Sequence, residues 1–129
     1  MEKLKFYLGL PYTARQRSLC RSRAPMDKPA FVAGISAVGG DEDAAAFVWD
    51  NLSQYVFHGG FTVYPEDSLY RMFGIANEEV DEDIVLAYLE KSGLSVPIAQ
   101  QLATGEVDSA LEICRFISKV RSFEERGSE

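Results

Sequence analysis

One histidine, two cysteines and one tryptophan are spread over 129 residues. The clusters of imidazole and thiolate that a zinc site needs are therefore missing. Cys20 and Cys114 lie far apart and form no CxxC pair. Cys114 falls on an apolar helical face, where cysteine serves as a small hydrophobe. No apolar run approaches the ~20 residues of a membrane span; the longest, Phe31 to Val38, is broken by Gly34 and Ser36. The basic start is not followed by an apolar region with a cleavage site, so no secretory signal is read and a cytoplasmic location is expected. Gly-x-Ser-x-Gly and Cys–His signatures are absent. Gly34-Ile35-Ser36-Ala37-Val38-Gly39-Gly40 has the glycines of a phosphate loop but neither the Lys-Ser/Thr ending nor the dinucleotide spacing. The lone imidazole, His58, sits before Gly59-Gly60, where a helix cap is the plain role and a general base the sharper one. No catalytic residue, metal or cofactor is assigned, and the chain is read as non-enzymatic.

What is present is charge, unevenly spread. Residues 1–28 hold seven basic and two acidic residues, a net of +5, whereas residues 29–129 carry a net of −12. The acidic body opposes nucleic acid and favours basic protein surfaces. Arg15, Arg17, Arg21 and Arg23 alternate with small polar residues, and no aromatic is interleaved to stack bases. Such an arm binds phosphate or folds back onto its own body.

The pattern predicts an all-α domain with an irregular N-terminal segment. A basic, partly ordered stretch covers 1–40, a helical domain 41–122 and a polar tail 123–129. Pro25 and Pro29 read as linker punctuation, and Met26 between them is an alternative initiator. Phe31 to Val38 reads as an irregular segment packed on the core, with a short strand or helix as alternatives. From Asp41 the helical period is clear. A first helix is expected near 42–57, stopped by Gly59-Gly60. A loop follows, then one short turn over Ser68–Phe73 closed by Gly74. A second helix is expected over Glu78–Lys91, with Val80, Ile84, Val85, Tyr88 and Leu89 on its apolar face and Gly93 as its stop. A short helical turn is expected over Pro97–Leu102. A last helix is expected over Glu106–Arg121, followed by fraying residues 122–129.

Residues 42–120 resemble the acyl carrier proteins. Val63-Tyr64-Pro65-Glu66-Asp67-Ser68-Leu69-Tyr70-Arg71-Met72-Phe73-Gly74-Ile75 is similar to the carrier loop, and Val80 to Pro97 to the acid-led second helix and its close. Glu106-Val107-Asp108-Ser109-Ala110-Leu111 is similar to the start of the last helix. The spacing matches with one extra residue near Ala76. The resemblance implies a small carrier-like helical bundle. Carriers place Asp-Ser-Leu at the start of the second helix, and that serine holds the phosphopantetheine arm. Here the stretch is Asn77-Glu78-Glu79, so Glu78 stands at the attachment position, and a carboxylate cannot receive the phosphodiester. The chain is thus similar to an uncharacterised bacterial group that keeps the carrier-like fold without the attachment serine.

Glu78, Glu79, Asp81, Glu82 and Asp83 crowd the start of that second helix without the spacing of a calcium loop. They suit the helix dipole as a solvated N-terminus. In carriers the same face meets basic partners, so the resemblance makes Glu78, Glu79, Glu82 and Asp83 the expected partner-binding residues. The leading expectation is an interaction domain that docks a basic protein. The alternatives are a carrier-related protein of lipid or secondary metabolism, in which another serine takes the arm, and a small enzyme or ligand-binding domain whose pocket joins His58 to an acid. An acidic immunity or inhibitor protein is a further one. No membrane contact is expected, and the oligomeric state is left open.

Overall fold

The computed structural model describes residues 14–55, 61–103 and 107–127. These residues form helices and loops and no strand, so the chain is all-α as the periodicity requires. In chain order the helices are α1 over 14–22, α2 Lys28–Ala37, α3 Glu42–Leu52 with a 3₁₀ turn at Ser53–Tyr55, and α4 Leu69–Phe73. Three consecutive pieces, Asn77–Glu79, Val80–Leu86 and Ala87–Ser92, then run on as one helix, α5; α6 is Val96–Leu102 and α7 is Ala110–Gly127. Among the described residues no helix is long and apolar enough to cross a membrane.

The N-terminal third is more regular than its composition suggests. Phe31 to Val38, expected as an irregular segment packed on the core, is instead helical as far as Ala37. Asp27 caps α2 by accepting from the Ala30 N–H at 2.9 Å. Pro29 stands in the first turn, where its missing N–H costs nothing. Phe31 and Ile35, four residues apart, are fully buried, and the Phe31 ring lies 5.0 Å from Trp49 of α3. The core therefore runs across residue 40. Gly39 turns the chain with φ 90°. At Gly40 an added Cβ would stand 2.2 Å from Ile35 Cγ2 and 3.2 Å from Cys114 Cβ, because α7 passes directly against this turn. The Asp41 N–H seals the contact on the Cys114 carbonyl at 2.9 Å.

Residues 14–22, expected to be irregular, also form a helix, which folds back onto the body. The buried Gln16 donates to the carbonyls of Tyr55 and Met72 at 3.1 and 2.8 Å. The Arg23 guanidinium grips Asp67 at 2.7 and 2.9 Å, donates to the Thr62 carbonyl, and stacks 3.9 Å from the Tyr64 ring centroid. Arg15 donates to the Arg71 carbonyl at 2.6 Å, while Arg17 and Arg21 face solvent. Polar contacts of long sequence separation do here what a short run of apolar residues could not.

The remaining boundaries follow local capping chemistry. Ser68 caps α4 through the Arg71 N–H at 3.1 Å, and Gly74 ends it with φ 74°. Gly93 ends α5 with φ 71°, and Ser95 caps α6. The left-handed backbone at both glycines is the reason for glycine there. α7 begins at Ala110, later than the Glu106 expected. Ser109 accepts from the Glu112 N–H at 3.1 Å while Glu112 reaches back to the Asp108 N–H at 3.1 Å, an arrangement close to a capping box. α7 also runs through Gly127, beyond the point where fraying was expected. Glu124 accepts from the Ser95 N–H at 2.9 Å and ties these last turns to the start of α6. The expected extension of the first helix to 57, its Gly59-Gly60 stop and His58 lie outside the described residues.

Val48 and Leu52 of α3, Ile84 and Tyr88 of α5, and Ile113, Cys114, Ile117 and Val120 of α7 are all buried in one core. Each fully buried aliphatic side chain contributes about 1.5–3 kcal/mol. Burial pushes the Cys114 thiol up to about 12, as fits a cysteine used as a small hydrophobe.

Candidate functional site

α5 is apolar on one side and anionic on the other. Val80, Ile84, Val85, Tyr88 and Leu89 are all buried, as the periodicity predicts. The middle of the helix, Val80–Leu86, is π-helical, which the apolar spacing does not foretell. Val80 and Val85, five residues apart, both fall within this wider turn. The acidic residues Glu78, Glu79, Asp81, Glu82 and Asp83 are all exposed. None of the five is ion-paired among the described residues. The Glu79 carboxylate accepts from the Ala76 N–H at 3.5 Å, a weak tether at the helix start.

The four residues expected to bind a partner have different neighbours. Glu79 and Asp83 look toward the end of α3, where burial first, and then their negative charge, raises the Tyr55 phenol. Glu82, together with Asp81, borders a hollow of about 320 Å³ between α5, α6 and the Phe116 side of α7. Its apolar floor comes from Val85, Leu86, Leu89, Val96, Ala99 and Phe116. Glu78 is exposed and borders neither. Asp81, outside the four expected partner-binding residues, and Phe116 both border this hollow. Asp81 was legible as one more acid of the run, but Phe116 joins from 35 residues away in sequence and only the packing of α7 brings it there.

Ser68 is the serine of the carrier-like loop, and it is already committed. It caps α4 and donates to the Asp108 carboxylate, which also accepts from the Tyr70 N–H at 2.9 Å. Gly34 to Ala37 lie within α2, with Ile35 buried, so this stretch is not a loop that could cradle phosphate. Among the described residues no three His, Cys, Asp or Glu side chains gather as a metal site.

A second acidic helix start lies at α3. Asp41 caps it through the Ala44 N–H at 3.0 Å and pairs with Arg121 at 2.7 Å. The Arg121 guanidinium also donates to the Tyr88 hydroxyl at 2.6 Å, and that hydroxyl donates to Asp43 at 2.8 Å. Burial above all holds the Tyr88 phenol up at about 12; a hydrogen bond with Ser92 pulls it down, and the Asp43 hydrogen bond and the Asp41 charge add to the rise. The hydrogen bond with Asp41 raises Arg121. This network ties α3, α5 and α7 together. Tyr88 is 1% exposed, so it offers no surface to a ligand.

No protein-family model, no curated protein and no solved structure matches the chain.

Proposed function

We propose that this chain is a non-enzymatic interaction domain that docks a basic protein surface through the acidic face of α5. One observation carries the reading: of five exposed acids on α5, none ion-paired among the described residues, Asp81 and Glu82 border an apolar hollow. Solvated acids alone serve the helix dipole. Acids that border an apolar recess supply both halves of a docking site, charge to steer the partner and apolar area to hold it. The order of elements supports a carrier-like bundle: a short capped helix, an acid-led helix closed by glycine, another short helix and a long last one. In that frame Glu78 occupies the attachment position and the domain docks without a covalent cargo.

The test is affinity capture from lysate of the source cell, comparing the wild type with Glu78→Lys/Glu82→Lys/Asp83→Lys. Proteins with basic surfaces captured by the wild type and lost in the triple variant are the expected result. The same set of proteins retained by both would remove the α5 face from consideration.

A further inference from the structure

We infer that the basic surface met by this acidic face is a second copy of the same chain, in a two-fold dimer that lays the α5–α6 hollow of each protomer against a cationic hollow on α7 of the other. The inference rests on the docking role proposed above and names its partner.

α7 carries four of the six cations found after residue 28. Arg121 is held by Asp41. The other three, Arg115, Lys119 and Arg126, line a second hollow of about 390 Å³ together with Ser118 and Ser122. Among the described residues no acid lines it, and none of the three cations is ion-paired. In a chain of net charge −7 this is a concentrated basic surface. Two of the large exposed apolar side chains, Val38 at 50% and Phe123 at 45%, stand in the same lining.

The two hollows are complementary. One has an acidic border and an apolar floor; the other has cations and a projecting aromatic ring. α6 lines both, giving Val96, Ala99 and Gln100 to the first and Leu102 to the second. A two-fold axis beside α6 brings the acids of each protomer to the cations of the other, so the same contact is made twice and the assembly closes. Phe123 of each copy then covers the partner's apolar floor, and the charge pairs fix the register.

The experiment is sedimentation equilibrium of the purified full chain at about 0.05 M and about 0.5 M salt, on either side of effective screening. A monomer–dimer equilibrium that weakens with salt is expected. Asp81→Lys/Glu82→Lys and Arg115→Glu/Lys119→Glu are each expected to weaken the dimer by about tenfold or more. All four reversals placed in one chain should restore the dimer, because opposite charges face each other again. Mixing the two double variants should give a mixed dimer for the same reason. That rescue separates lost complementarity from lost folding, with circular dichroism as the check on each variant. A chain monomeric throughout, or a dimer indifferent to every reversal, overturns the inference. So does a monomer whose α7 hollow takes inorganic phosphate instead and loses it in Arg115→Glu/Lys119→Glu. A monomer whose lysate partners are still lost in the α5 triple variant overturns this inference alone and leaves the docking role standing.

Discussion

α3 and α5 begin alike in sequence and unlike in structure. Asp41-Glu42-Asp43 and Glu78-Glu79 with Asp81-Glu82-Asp83 both place acids where a helix N-terminus favours them. At α3 two of those acids are drawn into the fold: Asp41 caps the helix and pairs with Arg121, and Asp43 accepts from Tyr88. At α5 all five remain exposed and unpaired by any described cation. The difference does not lie in the acids. It lies in Arg121, eighty residues from Asp41, which the packing of α7 delivers to one helix start and not the other. Acid-rich helix starts become structural or available according to what the rest of the chain brings to them.

The largest expected effect comes from alkali and tests the structural side of the comparison. Tyr88 rises from 10.0 to about 12 in the fold, and Cys114 from 9.0 to about 12. Both are neutral when protonated, so between the unfolded and folded values the unfolded chain holds fewer protons. Stability is then full below pH 9 and falls as the pH climbs toward 12. Urea melts across this range should show the fall, and Tyr88→Phe and Cys114→Ala should each flatten it.

Asp41→Ala removes a cap and strands Arg121, which keeps partial access to solvent. A loss of about 2–4 kcal/mol is expected in urea denaturation. Glu82→Ala, the matching change on α5, is expected to stay within about 0.5 kcal/mol. Equal costs at the two sites would break the comparison. Tyr88→Phe sits between them. It removes the donor to Asp43 and the acceptor for Arg121, and a loss of about 1–2 kcal/mol is expected.

The smallest effect sharpens the other side. Glu78→Gln/Glu79→Gln/Glu82→Gln/Asp83→Asn relieves like-charge crowding and also gives up favourable charges near the helix start. The two nearly cancel, so thermal melts should shift by no more than about 0.5 kcal/mol of stability, while binding of a basic partner is lost. A large destabilisation would show these acids to be as structural as those of α3.

Much of the helical body was legible. The apolar positions of α5 and the stops at Gly74 and Gly93 follow from period and glycine alone. So does the short turn over Ser68–Phe73, though the cap that Ser68 makes there was not singled out. The misreadings have physical sources. Pro29 and Gly34 argue against helix in isolation, yet Pro29 falls in the first turn and Gly34 packs beside Pro65, where an added Cβ would sit 3.9 Å from its ring. α1 holds few apolar residues. Its place depends on Gln16 and Arg23 finding carbonyls and a carboxylate some forty residues or more away, which no local pattern encodes. The late start of α7 was readable in Ser109 and Glu112, and its full length was not, because Glu124 is fixed by Ser95. The acidic residues of the candidate site were visible in the sequence. The apolar hollow that gives them a use was not, since it exists only where α6 and Phe116 meet α5.

A helix bonded five residues apart holds more residues per turn than an α-helix. Val80–Leu86 is thus a place where chain length is stored. Withdrawing one residue there, Glu82 for instance, would let the segment tighten to α geometry while Val80 before it and Tyr88 and Leu89 after it keep their bearing on the core. The same deletion inside α7 would rotate Cys114, Ile117 and Val120 out of register. The outer face of α5 is therefore free to gain or lose a residue as descendants of this chain diverge, and its recognition properties can change without the fold having to follow.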